Sequence, residues 1–240
     1  YEVVAPDGQV LDAVKSYVGM RKVHIEGNKI YLNNEPYYQR LVLDQGFYPD
    51  GIWTAPSDDA LRRDIELGLA AGFNGARLHQ KVFEERFYYW ADKMGYLTWG
   101  EASSWGMDCN DTETARNFIT EWSEIVQRDR NHPSVFMWSI GNEVLEQWQH
   151  ADADTLSLEA ANLILNAGHP VDDKILSDTA MSVQGLIAHS LAAIVKRLDK
   201  TRPVTAANNE ATPGNLIFRS NALDAVSYTH LRAHETRHDL

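Results

Sequence analysis

One cysteine, Cys109, stands among 240 residues, so no internal disulfide framework staples this chain, and a lone thiol does not separate a reducing cytoplasm from a periplasm. Positive charge is scarce. Against 34 acidic side chains there are 22 lysines and arginines, a net charge of −12 with no basic block, which repels phosphate backbones and argues against nucleic acid as a partner. No apolar run approaches the ~20 residues of a membrane helix, and no charged start leads into an apolar core and a small-residue cleavage site. That second absence carries little weight, because the opening "YEVVAPDGQV" reads as the interior of a chain. Glycine-rich phosphate loops of the forms G-x-G-x-x-G and G-x-x-x-x-G-K-[ST] are missing too. The nine histidines show no H-E-x-x-H spacing, so neither a zinc site nor any other cofactor is implied. Compartment and oligomeric state stay open.

What is present is apolar and well patterned. Hydrophobic residues make up 44% of the chain, with seven tryptophans, enough for a sizeable core in one large domain or two smaller ones. "YVGMRKVHIEGNKIYLNNEPYYQRLVLD" alternates short β-rich pieces with the turn signals Gly27-Asn28 and Asn33-Asn34, predicting a small sheet and a further strand at Tyr37–Leu43. The period then changes. Ser57 is a good N-cap, Asp58 and Asp59 suit the positive end of a helix, Leu61, Ile65 and Leu69 recur every fourth residue, and Gly72 permits a left-handed stop.

"FNGARLH" reads as a strand, Phe83, Phe87, Trp90, Ala91 and Met94 as a helical face ending at Gly95, and "YLTWGE" as a strand. A helix from near Asp111 to Asn131 precedes "HPSVFMWSIGNE", a strand apolar enough to be covered on both faces. After an interruption of about 40 residues, with a helix expected at Thr155–Asn166, come a helix at Ser182–Leu198 and strands in "RPVTAANN" and "LDAVSY". No internal repeat or low-complexity linker appears. Alternating strands and helices call for parallel strands with crossover helices, either an open doubly wound sheet or a (β/α)8 barrel.

Polar side chains gather at the strand ends: Asp44, then Arg77 and His79, then Glu101, then Asn142 and Glu143, then Asn208 and Asn209. In a barrel all these ends meet at one face, where active sites lie, and this convergence favours the barrel. Trp53, Trp99 and Trp105 stand near strand ends, where they would offer apolar faces to sugar rings, or would simply be core.

"RDRNHPSVFMWSIGNE", with "RRDIELGLAAGFNGARLH", "RFYYWADKMGYLTWGE" and "LDKTRPV", resembles the catalytic barrel of glycoside hydrolase family 2, which includes β-galactosidases, β-glucuronidases and β-mannosidases. The resemblance covers roughly residues 17–225, and its specific part is the Asn-Glu at the end of the fourth barrel strand. It implies a retaining glycosidase in which Glu143 is the general acid/base, Asn142 holds the sugar 2-hydroxyl and Arg77 helps orient the nucleophile. Asp44, His79, Glu101 and Trp105 complete the expected substrate-binding set, and the implied partner is a carbohydrate.

Two departures stand out. The chain reads "RLHQKV" where the family usually has a serine-histidine pair, and "LDQGFYPDG" where many relatives carry Asn-x-His-Glu, which leaves the sugar open.

Blander readings coexist with these. Glu143 would also suit the start of a helix, and Arg77 a rim salt bridge with Glu101. A carbohydrate-binding module without chemistry, or a family 5-like glycanase, would share the strand-end Asn-Glu. A barrel needs about 250 residues, and six strands are legible. The expectation is therefore a partial (β/α)8 barrel over residues 23–226, after a remnant of a β-sandwich in residues 1–22, with the nucleophilic glutamate of the seventh strand missing. The ending "SYTHLRAHETRHDL" turns basic and loses its apolar period; it resembles a translated sequencing-adaptor tail, and residues 227–240 are expected to be non-native.

Overall fold

The computed structural model describes residues 1–104, 111–142, 183–208, 217 and 220–228. Strands β1 (Glu2–Val4) and β2 (Val10–Ala13) pair antiparallel, with every residue of both exposed. A second small sheet follows, β3 (Val23–Glu26), β4 (Lys29–Leu32) and β5 (Glu35–Pro36) in sequential antiparallel order. Its turns fall at the expected signals, because Gly27, Asn33 and Asn34 all take positive φ, a conformation that glycine and asparagine tolerate.

The main sheet has six strands in parallel: β6 (Leu41–Asp44), β7 (Gly75–Leu78), β8 (Leu97–Glu101), β9 (Val135–Asn142), β10 (Val204–Asn208) and β11 (Ala225–Tyr228). Their spatial order equals their chain order. A doubly wound sheet would reverse its order at a switch point and carry helices on both faces. Here α1 (Asp58–Ala70), α2 (Glu85–Met94), α3 (Thr112–Asp129) and α4 (Val183–Leu198) share one apolar cluster with Ala76, Leu78, Trp138, Ile140, Val204 and Ala206, so the helices lie on one side. The architecture is a partial (β/α)8 barrel.

Local chemistry sets the helix ends. Ser57 accepts a hydrogen bond from the Ala60 N–H (3.1 Å) at the start of α1, and Asp111 accepts from Glu113 and Thr114 at the start of α3. Gly95 ends α2 with φ 70°. At Gly100 the requirement is space rather than φ: a Cβ there would lie 2.8 Å from the indole of Trp138, which stands edge-on to Trp122 behind the sheet.

The strand expected at Tyr37–Leu43 begins later, at Leu41. Tyr37 still belongs to the small sheet through its N–H to the Ile30 carbonyl, and Gln39 and Arg40 connect the two sheets. At the other end β11 runs to Tyr228, so the tail boundary expected at residue 227 falls inside a strand. Residues 229–240 and the helix expected at Thr155–Asn166 lie outside the described residues.

Along β7 and β8 the pleat divides the work. Ala76 and Leu78 face the helices; Arg77 and its register partner Trp99 share the inner face, and the guanidinium sits 5.4 Å from the indole centroid. At the amino ends Leu41, Leu97, Phe136 and Met137 pack with Val23, Ile30, Leu32 and Tyr37 of the small sheet, which closes the bottom. The inner face is thus apolar below and charged above. Leu43, beside Arg77 on edge strand β6, remains 52% exposed.

Below the sheet, one buried carboxylate locks the segment that feeds β9. Asp92 accepts from Tyr17 Oη (2.7 Å), the Ser134 N–H (2.8 Å) and His132 Nδ1 (2.6 Å). Burial pushes its carboxyl up, yet these donors outweigh burial and hold it below the usual carboxylate range. A carboxylate depressed in the folded state adds stability above its unfolded pKa, and this is lost as pH falls through the folded value. Asp92→Asn should therefore flatten the decline in stability between about pH 5 and pH 3, measured by urea unfolding; an unchanged slope would contradict this. For Asp44, whose carboxyl burial raises, the sign reverses, and Asp44→Asn should steepen the same decline.

Candidate active site

At the carboxyl ends of the strands Arg77 joins three of them. Its Nε (2.9 Å) and Nη2 (2.6 Å) both donate to Glu101 Oε2, and Nη2 also donates to Asn142 Oδ1 (2.5 Å). All three residues are buried, and the Glu101 side chain is 0% exposed. A buried carboxylate is tolerable only when paired and hydrogen-bonded, and the planar guanidinium meets that need while reaching the next strand.

Gln80 completes the arrangement, with a left-handed φ of 57° just past β7. Its N–H donates to Glu101 Oε1 (3.0 Å), its Oε1 accepts from the Ser104 N–H (3.0 Å), its carbonyl accepts from Ser103 Oγ (2.8 Å), and its Nε2 lies 3.5 Å from the Asn142 carbonyl. Ser104 Oγ accepts from the Asn142 N–H (3.3 Å). Both peptide groups of Asn142 are therefore held by side chains from neighbouring strand ends. The second of them is the bond to residue 143.

Of the residues predicted for the site, Arg77, Glu101 and Asn142 come together in one cluster. His79 and Asp44 belong to its flank. The Asp44 carboxylate accepts from the Gly46 N–H (2.8 Å), and its backbone carbonyl accepts from the His79 N–H (2.8 Å). His79 Nδ1 lies 2.8 Å from Gln45 Nε2. Burial holds the Asp44 carboxyl above the usual range, against the Gly46 N–H that stabilises its charge. Trp99, expected near the rim as a possible sugar face, instead packs within the inner layer beneath Arg77 and beside Phe136. Glu143, Trp105 and Asn209 lie outside the described residues. Among the described residues no group of three or more histidine, cysteine, aspartate or glutamate side chains is placed to hold a metal ion.

Sequence reasoning missed Gln80, Ser104 and Lys81. Glutamine and serine carry no distinctive spacing; "RLHQKV", which begins at the strand arginine, contains Gln80 and Lys81, and nothing in the sequence marks Ser104. Lys81 is buried, and its Nζ donates to the carbonyls of Gly46 (3.1 Å) and Trp53 (2.9 Å), which ties the loop after β6 to the turn after β7.

Comparison with known proteins agrees with the fold. The family model described as glycosyl hydrolases family 2, TIM barrel domain, matches residues 23–232. A β-galactosidase of Bacteroides ovatus, BoGH2A, is 45% identical over 184 residues, covering 75% of this chain and 22% of that protein. Among solved structures, a β-glucuronidase of Bacteroides uniformis superposes with TM-score 0.71 at 22% identity, covering 94% of this chain and 25% of that one. A family 2 glycosyl hydrolase from Bacteroides cellulosilyticus superposes with TM-score 0.68 at 25% identity, covering 96% and 27%. The chain thus spans about a quarter of the length of the proteins it matches.

Proposed function

The chain belongs to the glycosyl hydrolases family 2, TIM barrel domain, and on that premise we propose that it is the acid/base-bearing part of a retaining β-galactosidase. The observation that carries this reading is the buried Arg77–Glu101–Asn142 cluster at the carboxyl end of the fourth barrel strand, one residue before Glu143. In the proposed reaction Glu143 gives its proton to the glycosidic oxygen as the C–O bond breaks, and a second carboxylate forms a bond to the anomeric carbon. Glu143, now ionised, takes a proton from the water that then displaces that carboxylate. Asn142 is assigned to the sugar 2-hydroxyl, and Arg77 to the carboxylates around the reacting carbon.

Two carboxyls roughly 5–5.5 Å apart are required. The second is assigned to a barrel strand beyond β11, in keeping with a described sheet that ends in two edges, β6 and β11, and with the exposure of Leu43. The exposed β1–β2 ribbon is assigned to a β-sandwich preceding the barrel.

A neutral galactoside is favoured over a glucuronide for a physical reason. The cations that β7 and its turn bring to the rim are both committed, Arg77 to Glu101 and Asn142, and Lys81 to two carbonyls. Neither is left to bind a sugar carboxylate. In the full-length enzyme an aryl β-galactoside should be hydrolysed with kcat/KM at least ~100-fold above the β-glucuronide, since an unpaired carboxylate in a desolvated site costs several kcal/mol. Parity or reversal would contradict the galactoside reading. The 240-residue chain alone should show no turnover with either, and hydrolysis by pure material would overturn the placement of the second carboxylate.

A further inference from the structure

The loop between β6 and α1 is more elaborate than a connection requires. It spans residues 45–57 and presents three large apolar side chains to solvent at the rim: Phe47 at 64% exposure, Ile52 at 71% and Trp53 at 53%. Water disfavours such a group, and exposed apolar patches mark binding surfaces. The backbone is strained to make it. Ile52 is β-branched yet holds φ 55°, and Gly46 holds φ 62° against Lys81.

That conformation is held from several sides. Tyr48 and Ile52 exchange two backbone hydrogen bonds of 2.9 Å, Tyr48 Oη donates to Asp64 (2.6 Å), and Trp53 Nε1 donates to the Gln45 carbonyl (3.2 Å). Buried Lys81 fastens Gly46 and Trp53 from beneath. The result is a near-parallel pair, Phe47 and Trp53, with centroids 6.0 Å apart and planes 11° from parallel.

The occupant follows from what the loop adjoins. Gln45 meets His79, and Lys81 is the neighbour in sequence of Gln80, which touches both Glu101 and Asn142. The aromatic pair is therefore continuous with the catalytic rim. Flat apolar faces suit the C–H faces of a pyranose, and rigid aromatics bind at little entropic cost.

We propose that Phe47 and Trp53 form a carbohydrate platform that stacks a sugar ring two or more units beyond the galactosyl unit being cleaved, out of reach of a disaccharide, making the enzyme selective for longer galactosides. This rests on the hydrolase reading above and adds a specificity site to it.

The test uses the full-length enzyme with β-galacto-oligosaccharides of two and five units. Trp53→Ala and Phe47→Ala should each lower kcat/KM for the pentasaccharide about 3- to 10-fold, mainly through KM, in line with the worth of an aromatic stack. The disaccharide should change less than about 2-fold. Trp53→Phe, which keeps a stacking ring and loses only the Nε1 bond, should retain pentasaccharide selectivity, which separates stacking from loop damage. Equal losses on both substrates, or none on either, would overturn the platform while leaving hydrolysis intact. Calorimetric binding of the pentasaccharide gives a readout free of turnover: Trp53-dependent binding by an enzyme that hydrolyses neither sugar would uphold the platform and refute the hydrolase reading. Loss of self-association in Trp53→Ala with unchanged kinetics would assign the patch to a second copy instead.

Discussion

Glu143→Gln in the full-length enzyme should slow hydrolysis of a galactoside with a poor leaving group by ~10²–10⁴-fold, the usual worth of positioned proton transfer. The amide keeps the shape of the side chain and has no proton to give. An alkoxide leaving group must be protonated as it departs, whereas a nitrophenolate departs almost unaided. Glycosylation by an activated aryl galactoside should therefore fall far less than glycosylation by an alkyl galactoside. Comparable losses with both, measured in the pre-steady state, would remove Glu143 from the acid role.

Arg77→Met should have the largest effect on stability. It strips the guanidinium from a carboxylate whose side chain is 0% exposed and, among the described residues, leaves Glu101 with the Gln80 N–H alone. Breaking one side of a buried pair typically costs 3–5 kcal/mol, because the remaining charge stays desolvated. A melting temperature lower by roughly 10 °C is expected for a domain of this size. Arg77→Met combined with Glu101→Leu should recover much of that loss, since a matched apolar pair no longer buries a charge. If the single variant melts within 2 °C of the parent, the cluster is solvated and the account of its energetics fails.

Much of this fold was legible because parallel strands with helical crossovers leave two independent signals, a period change and polar residues at strand ends. Ser57, Asp111 and Gly95 mark helix ends through side-chain chemistry that acts within a few residues, so the sequence carries it openly. The Arg77–Glu101–Asn142 convergence was readable for the same topological reason, since parallel strands deliver their ends to one rim.

What was not legible depends on contacts distant in sequence. The Tyr37 side chain fits either sheet by its sequence pattern, and the hydrogen bond to Ile30 decides between them. "DQGFYPDGIW" carries glycine, proline and aspartate, the composition of an ordinary turn. Its rigidity comes from Lys81, 28 residues further along, and its strain sits on Ile52, a residue type that turn rules do not flag. Trp99 and Trp53 look alike as strand-end tryptophans, yet the pleat sends one beneath Arg77 and the loop holds the other in solvent.

The central claim is that Glu143 is the acid/base of a retaining mechanism, and the most direct measurement is the configuration of the product formed when Glu143→Ala in the full-length enzyme turns over an activated aryl β-galactoside in the presence of azide. Without its base the glycosyl-enzyme accumulates, and azide, which needs no proton removed, attacks where water would have. The account predicts faster turnover with azide and a β-galactosyl azide by NMR, the product of two inversions. An α-galactosyl azide would make residue 143 the nucleophile, and unchanged activity with no azide adduct would remove it from the chemistry.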